Sequence, residues 1–144
     1  MSGCLEGVRI VDMTANVSGP FGTAMLGDMG ADVIKVEAPG PGDISRRYGM
    51  MRGGMAASFA VINRNKRGVA IDLQAPGGKD VLLKLVQSAD VVVQNFRPGV
   101  VDRLGVGYAA CREVKDDIIY VSISGFGDSG PMSKDSAYDP VIQA

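Results

Sequence analysis

The sequence contains no histidine, and only two cysteines among its 144 residues. Without histidine no Ser–His or Cys–His pair operates within this chain, and the commonest transition-metal ligand is missing. Cys4 and Cys111 stand far apart and form no Cys-x-x-Cys pair, so they read as two reduced thiols with no zinc or thioredoxin-like motif. No apolar run approaches the ~20 residues of a membrane helix. The start, Met1 to Glu6, lacks a charged segment followed by an apolar one, so no signal peptide is read and a cytoplasmic location is expected. Aromatic residues make up 6% and the formal net charge is -1, which argues against a nucleic-acid partner.

What is present suits one ordinary globular domain: 46% hydrophobic and 22% charged residues. Short β-branched segments at 8–12, 32–37, 69–73, 89–93 and 118–123 read as strands. Between them lie helical stretches at 20–29, 56–62, 76–88, 100–104 and 108–114. In the third of these, Val81, Leu82, Leu85 and Val86 form an apolar stripe, with Lys79, Asp80, Lys84 and Gln87 facing outward. The segment 43–68 is not assigned apart from its short helix. Strands alternating with helices predict an α/β fold, a Rossmann-like and mostly parallel sheet with flanking helices. In such sheets ligands bind at the carboxyl ends of the strands. The candidate loops are therefore 14–19, 38–42, 72–75, 95–99 and 124–137. The final residues, Tyr138 to Ala144, read as the first turns of a helix without a C-cap, so the chain is expected to be part of something longer.

A nicotinamide site would use a glycine-rich first turn and an acid some twenty residues later. Glu37 is suitably placed, but Gly19-Pro20-Phe21-Gly22 does not fit the turn, and Pro20 lacks an amide for a phosphate. No ATPase-type phosphate loop is present. Arg46, Arg47, Arg52, Arg64, Lys66 and Arg67 form a basic run with no acid within it, which reads either as a phosphate partner or as a solvated loop. Arg97 and Arg103 flank a turn on the ligand side. Asp12, Asp72 and Asp139 read as turn or cap residues, although a lone carboxylate can also be a covalent nucleophile.

Six segments taken in order carry a family resemblance. They are Leu5-Glu6-Gly7-Val8-Arg9-Ile10-Val11-Asp12, Gly27 to Glu37, Asn63 to Leu73, Val93-Gln94-Asn95-Phe96-Arg97-Pro98-Gly99, Ser122 to Gly127, and Ala137-Tyr138-Asp139. Together they resemble the class III CoA-transferases, the CaiB/BaiF group, which includes formyl-CoA and carnitine CoA-transferases and α-methylacyl-CoA racemases. The resemblance implies that residues 1–144 form a Rossmann-like, CoA-binding large domain truncated at its C-terminus, with the small domain absent. It also implies an interlocked homodimer, acyl-CoA and carboxylic acid substrates, no metal, and no nucleic-acid or membrane partner. An aspartate would attack the acyl-CoA carbonyl to give a mixed anhydride, and CoA thiolate would then form an enzyme thioester. That aspartate would lie beyond this chain, so no catalytic residue is carried over. CoA contacts are implied at Asn16, Val17 and Ser18, at Ile71, Asp72, Leu73 and Gln74, at Asn95, Phe96 and Arg97, and at Arg103 and Tyr138. Ala38 and Gln74 stand where some members have arginine and lysine. The racemase branch has a histidine where this chain has Tyr138, which favours transfer over racemisation. The remaining alternative is a non-catalytic nucleotide- or NAD-binding module.

Overall fold

A computed structural model describes residues 3–143. Met1 and Ser2, part of the segment read as lacking a leader, and Ala144, the last residue of the expected terminal helix, lie outside the described residues.

Five strands make one parallel sheet: β1 (Arg9–Asp12), β2 (Asp32–Glu37), β5 (Lys66–Ala70), β6 (Val91–Gln94) and β7 (Ile119–Ser122). Their order is β5-β2-β1-β6-β7. The chain steps outward from β1 through β2 to β5, crosses to β6 on the far side of β1, and ends at β7. The α/β expectation therefore holds. The strand order reverses between β1 and β6, and that switch point opens a crevice at the carboxyl ends.

Side chains alternate across the sheet, as strand geometry requires. Ile10, Val33 and Val93 meet Leu26 of α1 (Ser18–Asp28) on one face. Val11, Val36 and Val92 face the other way and meet Leu82 and Val86 of α3 (Gly78–Val86) and Cys111 of α5 (Tyr108–Val114). Leu82 and Val86 are wholly buried and Leu85 packs against the core, so most of the stripe read from the sequence faces inward, whereas Val81 is exposed. Removing one such side chain from water is worth about 1.5–3 kcal/mol. Burial lifts the Cys111 thiol to about 11, which leaves it protonated and inert at neutral pH.

The element boundaries differ from the sequence reading in informative places. The helix expected from Pro20 starts at Ser18, because the missing proline N–H falls in the first turn, where no intrahelical acceptor exists anyway. The helix expected at 76–88 spans Gly78–Val86, with Pro76 in the preceding turn and Gly77 at φ 82°. The third strand sits earlier than the expected 69–73, pairing Lys66 with Val33 and Ala70 with Glu37. Ile71 extends this ladder by one bond to the Glu37 carbonyl (2.9 Å), and Asp72 then turns the chain by accepting from the Gln74 amide. The unassigned segment contains a 3-10 turn at Ile44–Arg47 and an antiparallel hairpin of β3 (Met51–Arg52) and β4 (Met55–Ala56). The short helix α2 (Ala57–Ile62) follows. Gly53 and Gly54 both have positive φ, the geometry of a tight two-residue hairpin turn. Short helices α4 (Val100–Arg103) and α6 (Asp139–Gln143) complete the described elements. No helix among the described residues is long and apolar enough to cross a membrane.

Candidate functional site

The carboxyl ends of the strands differ sharply on the two faces of the sheet. On the α3 side lies a cleft of about 150 Å³, lined by Met13, Val36, Glu37, Ala38, Ile71, Asp72, Leu73, Gln74, Phe96 and Leu104. Five implied CoA contacts, Ile71, Asp72, Leu73, Gln74 and Phe96, thus meet from two separate loops. Ile71 is buried and anchors the wall, while Asp72 and Gln74 are exposed at the rim. Phe96 packs against the main core, and its amide donates to Gln94 Oε1 (2.8 Å). Ala38 and Gln74, the two departures from the family pattern, both border this cleft. Ala38 also borders a more open hollow of about 320 Å³ beside Glu37, Arg46 and the β5 backbone.

The other implied contacts do not line the cleft. Asn16 and Val17 sit in the loop leading into α1 and Ser18 is its first residue, with Asn16 in the left-handed region at φ 71°. Asn95 lies at the switch point, and its carboxamide is bonded to the backbone of Ala15. Arg97, Arg103 and Tyr138 are exposed, Arg97 and Arg103 each next in sequence to a residue of the cleft wall, Phe96 and Leu104.

On the α1 side the strand ends carry buried charge. Asp12 is fully buried and accepts from Thr14 Oγ1 (2.5 Å), Thr23 Oγ1 (2.7 Å) and Lys66 Nζ (2.9 Å). Lys66 Nζ also donates to the Pro20 carbonyl (2.8 Å) and Asn63 Oδ1 (3.0 Å), so all three of its protons are placed. Lys35, buried in the middle of a sheet strand, lies 2.8 Å from Asp43 Oδ2. Glu37 accepts a two-pronged bond from Arg46 (2.8 and 2.6 Å) as well as the Asp43 amide. The Arg46 guanidinium stacks 3.8 Å above the Phe59 ring.

These contacts revise two readings. Glu37 is committed to Arg46 and Asp43, which leaves it unsuited to the ribose role of a dinucleotide site. The basic run is largely internal: Arg46 serves Glu37, Arg64 pairs with Asp28, Lys66 with Asp12 and Arg67 with Asp32. Arg47 and Arg52 are exposed and make no ion pair among the described residues. The buried Asp12–Lys66 and Lys35–Asp43 pairs were missed. The available signal was a lysine inside a strand of a parallel sheet, where both faces are covered and a charge needs a partner. The turn reading of Asp72 agrees with its place at the Gln74 turn, whereas Asp139 is the first residue of α6 and its carboxylate accepts from Gln143 Nε2 (2.8 Å).

Burial works to raise the Asp12, Glu37 and Asp43 carboxyls. Their partners outweigh it: Lys66 and Lys35 for Asp12, Arg46 for Glu37, and Lys35 with two backbone amides for Asp43. All three are held below the ordinary carboxylate range. Lys66 is pushed down by burial, with Asp12 opposing. A carboxyl depressed in the folded state adds stability above its unfolded pKa, about 4, and loses it as pH falls through the lower folded value. Urea midpoints are thus expected to change little for this reason between pH 7 and 5, then fall steeply below about pH 4. A midpoint maintained to pH 3 would contradict the array.

Comparison with known proteins agrees with this architecture. The model of "CoA-transferase family III" matches residues 5–144. The acetyl-CoA:oxalate CoA-transferase of Acetobacter aceti is 42% identical over 99% of this chain and 36% of its own length. The human succinyl-CoA:glutarate CoA-transferase is 43% identical over 97% of this chain and 32% of its own. A CaiB/BaiF family protein from Brucella suis superposes with a TM-score of 0.93 at 37% identity, over 99% of this chain and 39% of that one. The chain therefore spans about a third of the length of the curated relatives it matches. With the family model matched almost from end to end and the parallel sheet superposing on a family structure, the chain belongs to CoA-transferase family III.

Proposed function

We propose that this chain is the CoA-binding, N-terminal part of a large domain in an enzyme that moves CoA between an acyl-CoA donor and a carboxylic acid. The observation that carries the reading is the cleft, where Ile71–Gln74 and Phe96 converge at the strand ends. Its apolar wall with a polar rim suits a long ligand that is part hydrocarbon and part amide. Asn16, Val17, Ser18, Arg97, Arg103 and Tyr138 complete the proposed CoA contacts, and Asn95 is assigned to the same site. The nucleophilic aspartate and the small domain are assigned to sequence beyond residue 144. The working enzyme is read as a cytoplasmic, interlocked homodimer that uses no metal. Tyr138, where a racemase has histidine, favours transfer, since a phenol is a poor general base at neutral pH.

Thermal unfolding of the full-length protein tests this. CoA should raise the midpoint by several degrees at concentrations far above its Kd, because a ligand that binds only the folded state stabilises it. NAD should leave the midpoint unchanged. A shift with NAD alone would reject the reading in favour of a nicotinamide-binding module.

A further inference from the structure

The loop entering α1 is held by side chains from three different parts of the fold, each gripping a different residue. Lys35 Nζ, from β2, donates to the Thr14 carbonyl (2.9 Å). Asn95, from the loop after β6, grips Ala15 at both ends: the Ala15 amide donates to Asn95 Oδ1 (2.9 Å), and Asn95 Nδ2 donates to the Ala15 carbonyl (2.8 Å). Asp43, ahead of the 3-10 turn, accepts from the Asn16 amide (3.0 Å) through Oδ1, while its Oδ2 lies 2.8 Å from Lys35 Nζ. Three consecutive residues are thus fixed, and the last is kept in a left-handed conformation that few side chains adopt freely.

A buried ion pair such as Lys35–Asp43 contributes little net stability compared with apolar packing of the same volume. Its worth lies in the shape it imposes. Asn95 matches a CoA contact of the family, yet one oxygen bond and one nitrogen bond of its carboxamide already go to Ala15. Both bonds can form in only one orientation of the amide.

We propose that Asn95, Asp43 and Lys35 are positioning residues for CoA, with Asn95 acting through the Ala15 backbone rather than by touching the ligand. The inference rests on the CoA-binding reading above. A loop fixed before the ligand arrives spares CoA the cost of ordering it.

The test uses the full-length protein, with calorimetric titration of CoA and hydrogen exchange of the Ala15 and Asn16 amides without ligand. Asn95→Ala should weaken CoA binding about tenfold and speed exchange at Ala15. Asp43→Ala should do the same at Asn16, while Asp43→Asn, which keeps one acceptor oxygen for the Asn16 amide but turns an NH2 group toward Lys35, should recover only part of the lost binding. The double variant Asn95→Ala/Asp43→Ala should lose less affinity than the product of the two single losses, because both act on one loop. Weakened binding in Asn95→Ala with Ala15 exchange as in wild type would overturn the proposal in favour of direct contact. Faster exchange with unchanged affinity would overturn it by showing that CoA does not use this loop shape. If the wild-type protein itself bound no CoA, the underlying reading would fail, and this proposal with it.

Discussion

Lys66→Met is expected to destabilise the protein by about 3–5 kcal/mol, the usual cost of stranding one member of a buried ion pair. Methionine matches the length and most of the volume of lysine, so packing is roughly kept while the charge and three donors are lost. Asp12 would then lie wholly buried without its nearest cation, and the Pro20 carbonyl and Asn63 would each lose a bond. The threonine bonds to Asp12 remain, yet hydroxyl groups cannot replace a full positive charge in a region of low polarisability. Adding Asp12→Asn should recover part of the loss by removing the stranded charge. Urea unfolding at pH 7 measures both. A Lys66→Met protein within about 1 kcal/mol of wild type would show that the pair contributes nothing essential.

Gly78→Ala is expected to cost about 1–3 kcal/mol, through overpacking of backbone against backbone. Gly78 is the first residue of α3, and a β-carbon there would collide with the Asp72 carbonyl oxygen and crowd the Leu73 α-carbon. No side chain can rotate aside, so either the helix start or the 72–75 turn must move. Asp72, Leu73 and Gln74 line the cleft, so the displacement reaches the proposed ligand directly. CoA affinity should fall by more than tenfold, beyond the general loss of stability. Gly77→Ala is a useful contrast: it has open space around it but a φ of 82°, so it carries conformational strain without the collision. Equal CoA affinities for wild type and Gly78→Ala would refute the close approach.

The sheet was legible because its strands obey local rules. Val91-Val92-Val93 and Val33-Ile34 are β-branched runs, and each central strand is buried on both faces. The α3 stripe was legible for the same reason, since Leu82 and Val86 recur at helical spacing and are buried. The hairpin at 51–56 was less legible because each of its strands has only two residues, too few to show alternation. Its Gly53-Gly54 turn was the remaining signal. Partner choice was the least legible feature. Lys66 and Asp12 are 54 positions apart, and nothing local marks one as the other's counter-ion. A basic run in sequence therefore resembled a phosphate site, although most of its members neutralise carboxylates of the same fold. Likewise Phe96 and Ile71–Gln74 were individually visible, but only the strand order places them around one cleft.

The pairing of β1 with β6 also fixes when this part of the molecule can first exist. β1 is made early, yet one of its two neighbours lies some 80 residues later, and the Ala15–Asn95 grip spans 80 positions. Closing a loop of that length costs entropy that only the completed central ladder and its covering helices return. During synthesis β1 must therefore wait, or rely on β2 alone, until β6 has left the ribosome. A nascent chain arrested before residue 91 would have Lys35 and Asp43 available to the first loop but not Asn95, so the switch-point crevice is complete only once β6 and the loop after it are in place.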